Sequence, residues 1–159
     1  MPLIRFREAI PADTAALWLL RTRCVRQTCS SHYPPAIIAP WAASPPPAQY
    51  AALLGAGGGV VAETPEGQLL GYGVFDHAGN AVEALFVEPG QGGQGIGQAL
   101  LLRLLAQADP ARAVELSASL NAVAFYRRAG FEEVGPERYA HPSGIELDAM
   151  KMRRPLTGR

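Results

Sequence analysis

Apolar and charged residues alternate over residues 4–8, the period-two signature of a half-buried or edge strand. The period then lengthens. Behind Asp13, a residue suited to an N-cap, Leu17, Leu20 and Cys24 fall on one helical face, with Arg21 and Arg26 expected to point elsewhere. Tyr33-Pro34-Pro35 and Ser44-Pro45-Pro46-Pro47 break the pattern and leave room for short helical turns only, over residues 36–41 and 48–54. Strands are predicted over residues 57–64 and 68–76, joined by the turn Pro65-Glu66-Gly67, and over residues 81–87 after the turn Ala78-Gly79-Asn80.

A helix follows Gly97 and stops at Asp109-Pro110, and a short strand over residues 113–117 comes next. A helix over residues 121–129 ends at Gly130, which is placed to form a left-handed cap. Strands over residues 131–138 and 145–152 close the pattern, and no internal repeat is present. Helices and strands alternate around an antiparallel meander, which predicts an α+β (mixed α/β) fold.

At 159 residues, one domain is expected, spanning residues 1–154 with a short tail at 155–159. A hydrophobic share of 48% against 18% charged residues excludes a disordered chain. Lys and Arg number 14 and so do Asp and Glu, which leaves no electrostatic footprint for nucleic acid or an anionic membrane. No apolar run reaches the roughly 20 residues of a membrane helix, and the start at Met1-Pro2-Leu3-Ile4-Arg5 lacks the apolar stretch of a signal peptide. A cytoplasmic protein with Cys24 and Cys29 reduced is expected. His32, His77 and His141 are scattered, and no metal is expected.

The chemistry concentrates where the strand over residues 81–87 runs through Glu88-Pro89-Gly90-Gln91-Gly92-Gly93-Gln94-Gly95-Ile96-Gly97 into a helix. Glycines there leave backbone N–H groups unshielded at the positive end of the helix, an arrangement that attracts phosphate. Gly90-x-Gly92-x-x-Gly95 fits the dinucleotide fingerprint, and Glu115 lies at the right separation for a ribose contact. That fingerprint belongs in the first of several βαβ units. Here it follows a meander, past the middle of the chain, so an NAD-dependent oxidoreductase is the less favoured reading.

In another register, Val87-x-Pro89, Gly95-Ile96-Gly97 and Leu100 resemble the acyl-CoA-binding motif of the GNAT acetyltransferase superfamily. In that motif the central strand is followed by Gln or Arg, two residues, Gly, one residue, then Gly or Ala. Gly95 and Gly97 fill the last two fixed positions, and Gly92 stands where Gln or Arg is usual. Residues 116–131, with Phe125-Tyr126 and Gly130-Phe131, resemble the family's next motif. Ile4-Arg5 with Pro11-Ala12-Asp13, and His32-Tyr33 with Trp41, are similar to small stand-alone bacterial members.

The resemblance implies a mostly antiparallel, twisted sheet of six to seven strands flanked by about four helices. It implies transfer of an acetyl group from acetyl-CoA, as co-substrate, to a primary amine of a small molecule or peptide, by direct attack through a tetrahedral intermediate. The implied cofactor site takes Leu85, Phe86 and Val87 from the strand and Gln91, Gly92, Gly93, Gln94, Gly95, Ile96, Gly97 and Gln98 from the turn. Phe125 and Tyr126 complete it, and the polar contact to the cofactor arm is divided between Ser119 and Asn121.

Tyr126 is the candidate proton donor to the leaving thiolate, since a phenol stays protonated at neutral pH. Glu83 interrupts an apolar strand and is the candidate base, acting directly or through a water. Strand alternation places it with Leu85 and Val87 on one face. The family further implies an oxyanion contact from a backbone N–H near Val87. The acceptor pocket is expected from residues 29–41 and the late strands, with His32, Tyr33, Trp41, Glu83 and Tyr139 as substrate contacts and Tyr72 and His141 as further wall candidates. Plain packing for Phe125-Tyr126 and a solvated or Arg-paired Glu83 stay open as alternatives. So does a non-catalytic acyl-CoA sensor, given the departure at Gly92. A homodimer is compatible with the resemblance.

Overall fold

Seven strands and five α-helices run through residues 3–141 and 143–156, the part of the chain that the computed structural model describes. In chain order they are β1 (Arg5–Glu8), α1 (Thr14–Gln27), α2 (Pro35–Ala43), α3 (Gln49–Gly55), β2 (Gly59–Glu63), β3 (Leu69–Asp76), β4 (Ala81–Val87), α4 (Ile96–Leu105), β5 (Val114–Ser119), α5 (Val123–Arg128), β6 (Glu132–Ala140) and β7 (Glu146–Arg154). The strands form one sheet in the order β1-β2-β3-β4-β5-β7-β6. Each neighbouring pair is antiparallel except β4 and β5, which run parallel.

Helices cover both faces. On one, Leu17, Leu20 and Cys24 of α1 meet Tyr50 and Leu54 of α3 over Tyr72 and Val74. Ile38 and Trp41 of α2 close the same side around Val25, Tyr33 and Leu147. On the other, Leu101 and Leu104 of α4 pack with Phe75, Val82 and Leu116, joined by Tyr126 and Phe131. Gly73 lets α4 approach: a Cβ there would lie 2.7 Å from Leu104 Cδ1.

Two local expectations need correction, at Asp13 and over residues 121–129. Arg21 is buried: it is 3% exposed, and its guanidinium lies 4.2 Å from the Trp18 ring centroid. It donates to Trp41 O at 2.9 Å, Ala42 O at 3.3 Å and Ser44 Oγ at 3.1 Å. Those carbonyls close α2, where a helix leaves acceptors unpaired and favours a cation. Asp13 does not cap α1 with its side chain. It accepts the Ile10 N–H at 2.8 Å, closing the single turn before α1, and takes both arms of Arg7 at 3.0 and 3.1 Å. The helix expected over residues 121–129 divides into a 3-10 turn, Leu120–Ala122, and α5, which Gly130 terminates at φ 95°.

The join between β4 and β5 positions the site. Among the described residues, Ala81↔Glu115 is the one register pair between these strands. Buried Asn80, at φ 52°, clamps this end. Its amide donates to Arg112 O at 3.2 Å and Ala113 O at 3.1 Å, and its Oδ1 accepts the Asp109 N–H at 2.8 Å. Beyond the clamp the two strands part.

Candidate active site

The fork between β4 and β5 opens a passage through the sheet. Its middle is a cavity of about 230 Å³, walled by Cys24, Thr28 and Cys29 of the α1 segment on one side and by Asn121, Phe125 and Tyr126 on the other. Val87, Gly97 and Phe125 also wall a second cavity, of about 430 Å³, beside the glycine-rich turn. Leu85, Phe86, Ser119, Ala122 and Tyr126 are shared with a third, of about 230 Å³, under α1–α3. The three cavities thus adjoin through shared wall residues, from the turn, by way of the fork, to the space under α1–α3.

At the turn, Gly95 takes a left-handed conformation, φ 76°, one residue before α4, a geometry that L side chains adopt only with strain. Glu88 begins the turn, its carboxylate gripped by Arg23 through Nε at 3.0 Å and a second nitrogen at 2.5 Å. That pairing neutralises the one anionic side chain of the turn. Of the turn residues assigned to the cofactor, Gln91, Gly92, Gly93, Gly95, Ile96, Gly97 and Gln98 line this cavity. Gln94 does not line it. Its amide donates to Gln91 Oε1 at 2.7 Å and braces the loop from within.

The fork exposes backbone. Glu88 N–H donates to Leu70 O at 2.8 Å, toward β3, so strand alternation turns the N–H and C=O of Val87 and Leu85 toward the opening. The Cys24 thiol donates to Val87 O at 3.1 Å. Burial pushes the Cys24 thiol up to about 12 and Cys29 up to about 11, so both are neutral, apolar wall groups. Asn121 Oδ1 is a buried acceptor with no donor among the described residues. A mostly apolar cavity with an unused amide oxygen on its wall and the Val87 N–H turned toward it suits a ligand that carries amide groups of its own.

A bulge decides where Glu83 points. Val74 pairs with Ala84 and Phe75 with Val82, which leaves Glu83 as the extra residue of β4. The expected face-sharing with Leu85 and Val87 is therefore overturned. Those two pack toward Ile96 and Leu100, whereas Glu83 shares the side of Ala84 and Phe86 and lines the third cavity. Gln49 of α3 donates to Glu83 Oε2 at 2.9 Å. Desolvation, reinforced by the nearby Asp76 charge and opposed by the Gln49 bond, raises the Glu83 pKa above the usual carboxylate value.

Tyr126 stands at the junction of the middle and third cavities, 7% exposed, its ring against Phe125 and Phe131. Burial alone raises its pKa, so the phenol carries its proton. Ser119 lines both cavities, and Asn121 the middle one.

Tyr33 and Trp41 line the third cavity, joined by His141, whose pKa burial and Arg21 lower. The Tyr33 hydroxyl is engaged by the fold: it donates to Asp148 O at 2.5 Å and accepts the Leu120 N–H at 3.1 Å. His32 does not reach any of the three cavities; it is exposed and bonded to Ser31 Oγ. Tyr72 is fully buried beneath the cavity, its hydroxyl against that of Tyr50 at 3.2 Å. The side chain of Tyr139 lies outside the described residues. Trp18, Arg21, Tyr50 and Asp148 are wall residues that the sequence did not reveal. Tyr50 left a trace in the short helix expected after Pro47, and Asp148 falls on one of the late strands expected at the pocket.

A forked parallel pair, a glycine turn at a helix start and a through-sheet slot define an acyl-CoA-dependent acyltransferase. The chain belongs to the GNAT acetyltransferases: residues 46–154 match the acetyltransferase (GNAT) domain family. No curated protein matches the sequence. Among solved structures, a GCN5-related N-acetyltransferase from Rhodopseudomonas palustris shares the fold at TM-score 0.80 and 23% identity, covering 98% of this chain and 96% of that one. A phosphinothricin acetyltransferase from Sinorhizobium meliloti, solved with AcCoA, aligns at TM-score 0.66 and 24% identity over 96% and 88% of the two chains. The PaiA N-acetyltransferase of Thermoplasma acidophilum, solved with coenzyme A, aligns at TM-score 0.67 and 16% identity over 96% and 98%. Glu115, the ribose contact of the dinucleotide reading, lies on β5 away from the glycine turn, and that reading is set aside. Among the described residues no cluster suited to a metal exists, and no helix is long and apolar enough to cross a membrane.

Proposed function

We propose that the protein is an N-acetyltransferase that moves the acetyl group of acetyl-CoA to a primary amine of a small molecule or peptide. The observation that carries this reading is the pairing of Glu83 and Tyr126 on the wall of one cavity, the first turned there by the bulge, the second set where the slot opens. Acetyl-CoA supplies an activated thioester. Glu83, with its raised pKa, accepts the proton of an incoming ammonium, directly or through a water, and leaves a neutral amine able to attack. The Val87 N–H, facing the fork, suits the oxygen that gains charge as the carbonyl is attacked. Tyr126 keeps its proton until the thiolate departs and then donates it.

Residues 1–154 act as one acetyltransferase domain in this reading, with 155–159 as a tail, in the cytoplasm. The test is release of CoA thiol from acetyl-CoA over a panel of alkylamines, amino acids and short peptides. Turnover with any amine, abolished by combining Glu83→Gln with Tyr126→Phe, supports the proposal. Tight acetyl-CoA binding without turnover on any amine would instead make the protein a sensor.

A further inference from the structure

The cavity beside the glycine turn carries a single ionisable side chain on its wall, and it does not come from the turn. It is Arg128, at the end of α5. Its neighbour Arg127 is spoken for by an ion pair with Glu133. Arg128 has no hydrogen bond or ion pair among the described residues, and it lines the same cavity as Gly92, Gly93 and Gly95. Position 92 projects no side chain into the space. Gly92 is not required there by the backbone: its φ lies outside the left-handed region, and a Cβ built on it meets nothing within 4 Å. Gly90, Gly93 and Gly95 differ, all having positive φ.

A cradle of backbone N–H groups beside a helix start holds phosphate by partial charges, but a coenzyme with several phosphate charges calls for full positive charge too. The acidic residue of the turn, Glu88, is already neutralised by Arg23, so the cavity wall has a net positive charge and Arg128 is its source. We propose that Arg128, at the end of α5, is the cationic contact for the phosphate groups of the acyl-CoA, supplying the side-chain charge that Gly92 does not. A guanidinium suits this role, since its fork matches two phosphate oxygens at once. The phosphate source is either the pyrophosphate bridge or the 3′-phosphate of the coenzyme.

The experiment is calorimetric titration of CoA, and separately 3′-dephospho-CoA, into the intact wild type, Arg128→Ala, Arg128→Lys and the double variant Gly92→Arg/Arg128→Ala. Circular dichroism confirms that each is folded. Wild type binds CoA. Arg128→Ala is expected to bind about tenfold more weakly at low salt, with the gap narrowing as salt rises. Arg128→Lys recovers part of the loss, and the double variant recovers affinity by restoring a charge to the same cavity from position 92. Equal losses for both ligands place the contact on the pyrophosphate; a loss seen with CoA alone places it on the 3′-phosphate. Affinity of Arg128→Ala within twofold of wild type at low salt would overturn the assignment. If the wild type fails to bind CoA at all, the acyl-CoA reading falls and the assignment with it.

Discussion

Gln49 Nε2 donates to Glu83 Oε2 at 2.9 Å, joining helix α3 to the one residue of β4 that the β3–β4 ladder leaves unpaired. The bond favours the charged carboxylate, while desolvation and Asp76 favour the neutral one and prevail. In a pH profile of kcat/KM, the acidic limb therefore belongs above the ordinary Glu range. Gln49→Ala removes the one influence holding the pKa down and should move that limb to higher pH. Glu83→Gln should abolish it, lowering the rate most near neutral pH and least at high pH, where the amine is already neutral. A loss independent of pH would mark Glu83 as structural.

The same residue bears on stability. A carboxyl whose pKa is raised in the folded state stabilises the fold below its unfolded pKa, and this contribution is lost as pH rises through the folded value. At neutral pH the charged Glu83 is thus a burden on the fold. Glu83→Gln is expected to raise Tm modestly at pH 7 and to lose that advantage near pH 4, measured by thermal melts at both pH values.

Tyr126→Phe removes a hydroxyl that has no hydrogen bond among the described residues and leaves the ring packing with Phe125 and Phe131 intact. Stability should change by less than about 1 kcal/mol, and acetyl-CoA affinity little, whereas kcat should fall about 100-fold or more if the phenol protonates the leaving thiolate. Single-turnover kinetics beside a urea melt separates the two effects. Unchanged turnover would reduce Tyr126 to packing.

Asn80 holds the closed end of the fork with both side-chain atoms while its backbone sits at φ 52°. Asn80→Ala loses those bonds and also strains the left-handed backbone, while Asn80→Gly loses the bonds alone. Urea denaturation should show losses of about 2–4 kcal/mol for Ala and about 1 kcal/mol less for Gly.

Gly95 and Gly92 offer a paired control in the turn. Gly95→Ala forces a Cβ into φ 76° and should cost about 1–2 kcal/mol, with weaker CoA binding as the cradle deforms. Gly92→Ala adds a methyl into open space and should leave both stability and affinity close to wild type.

Punctuation and period made the elements legible. Gly130 announced the end of α5, Asn80 the turn before β4, and the glycines of residues 90–97 the turn that enters α4. Three features were illegible for three physical reasons. The bulge at Glu83 carries no Gly or Pro marker, so strict alternation put its side chain on the wrong face. The burial of Arg21 left no mark in the sequence because its partners, the last carbonyls of α2, lie 20 and 21 positions away and emerge only on folding. Cys24, Cys29 and Arg128 join the site through contacts between α1, the fork and α5 that no local pattern encodes.

The parting of β4 and β5 has a consequence for the company this protein keeps. A seven-stranded sheet ordinarily has two outer edges at which a foreign strand could add, here β1 and β6. The fork creates two more, in the middle of the molecule, where unpaired backbone would be an invitation to aggregation if it lay open. It is walled instead by the cysteine-bearing end of α1 on one side and by Phe125 and Tyr126 on the other. The same side chains that deny these inner edges to a foreign strand also wall the space between them, so the fold's protection against misassembly and the lining of its central cavity are one set of residues.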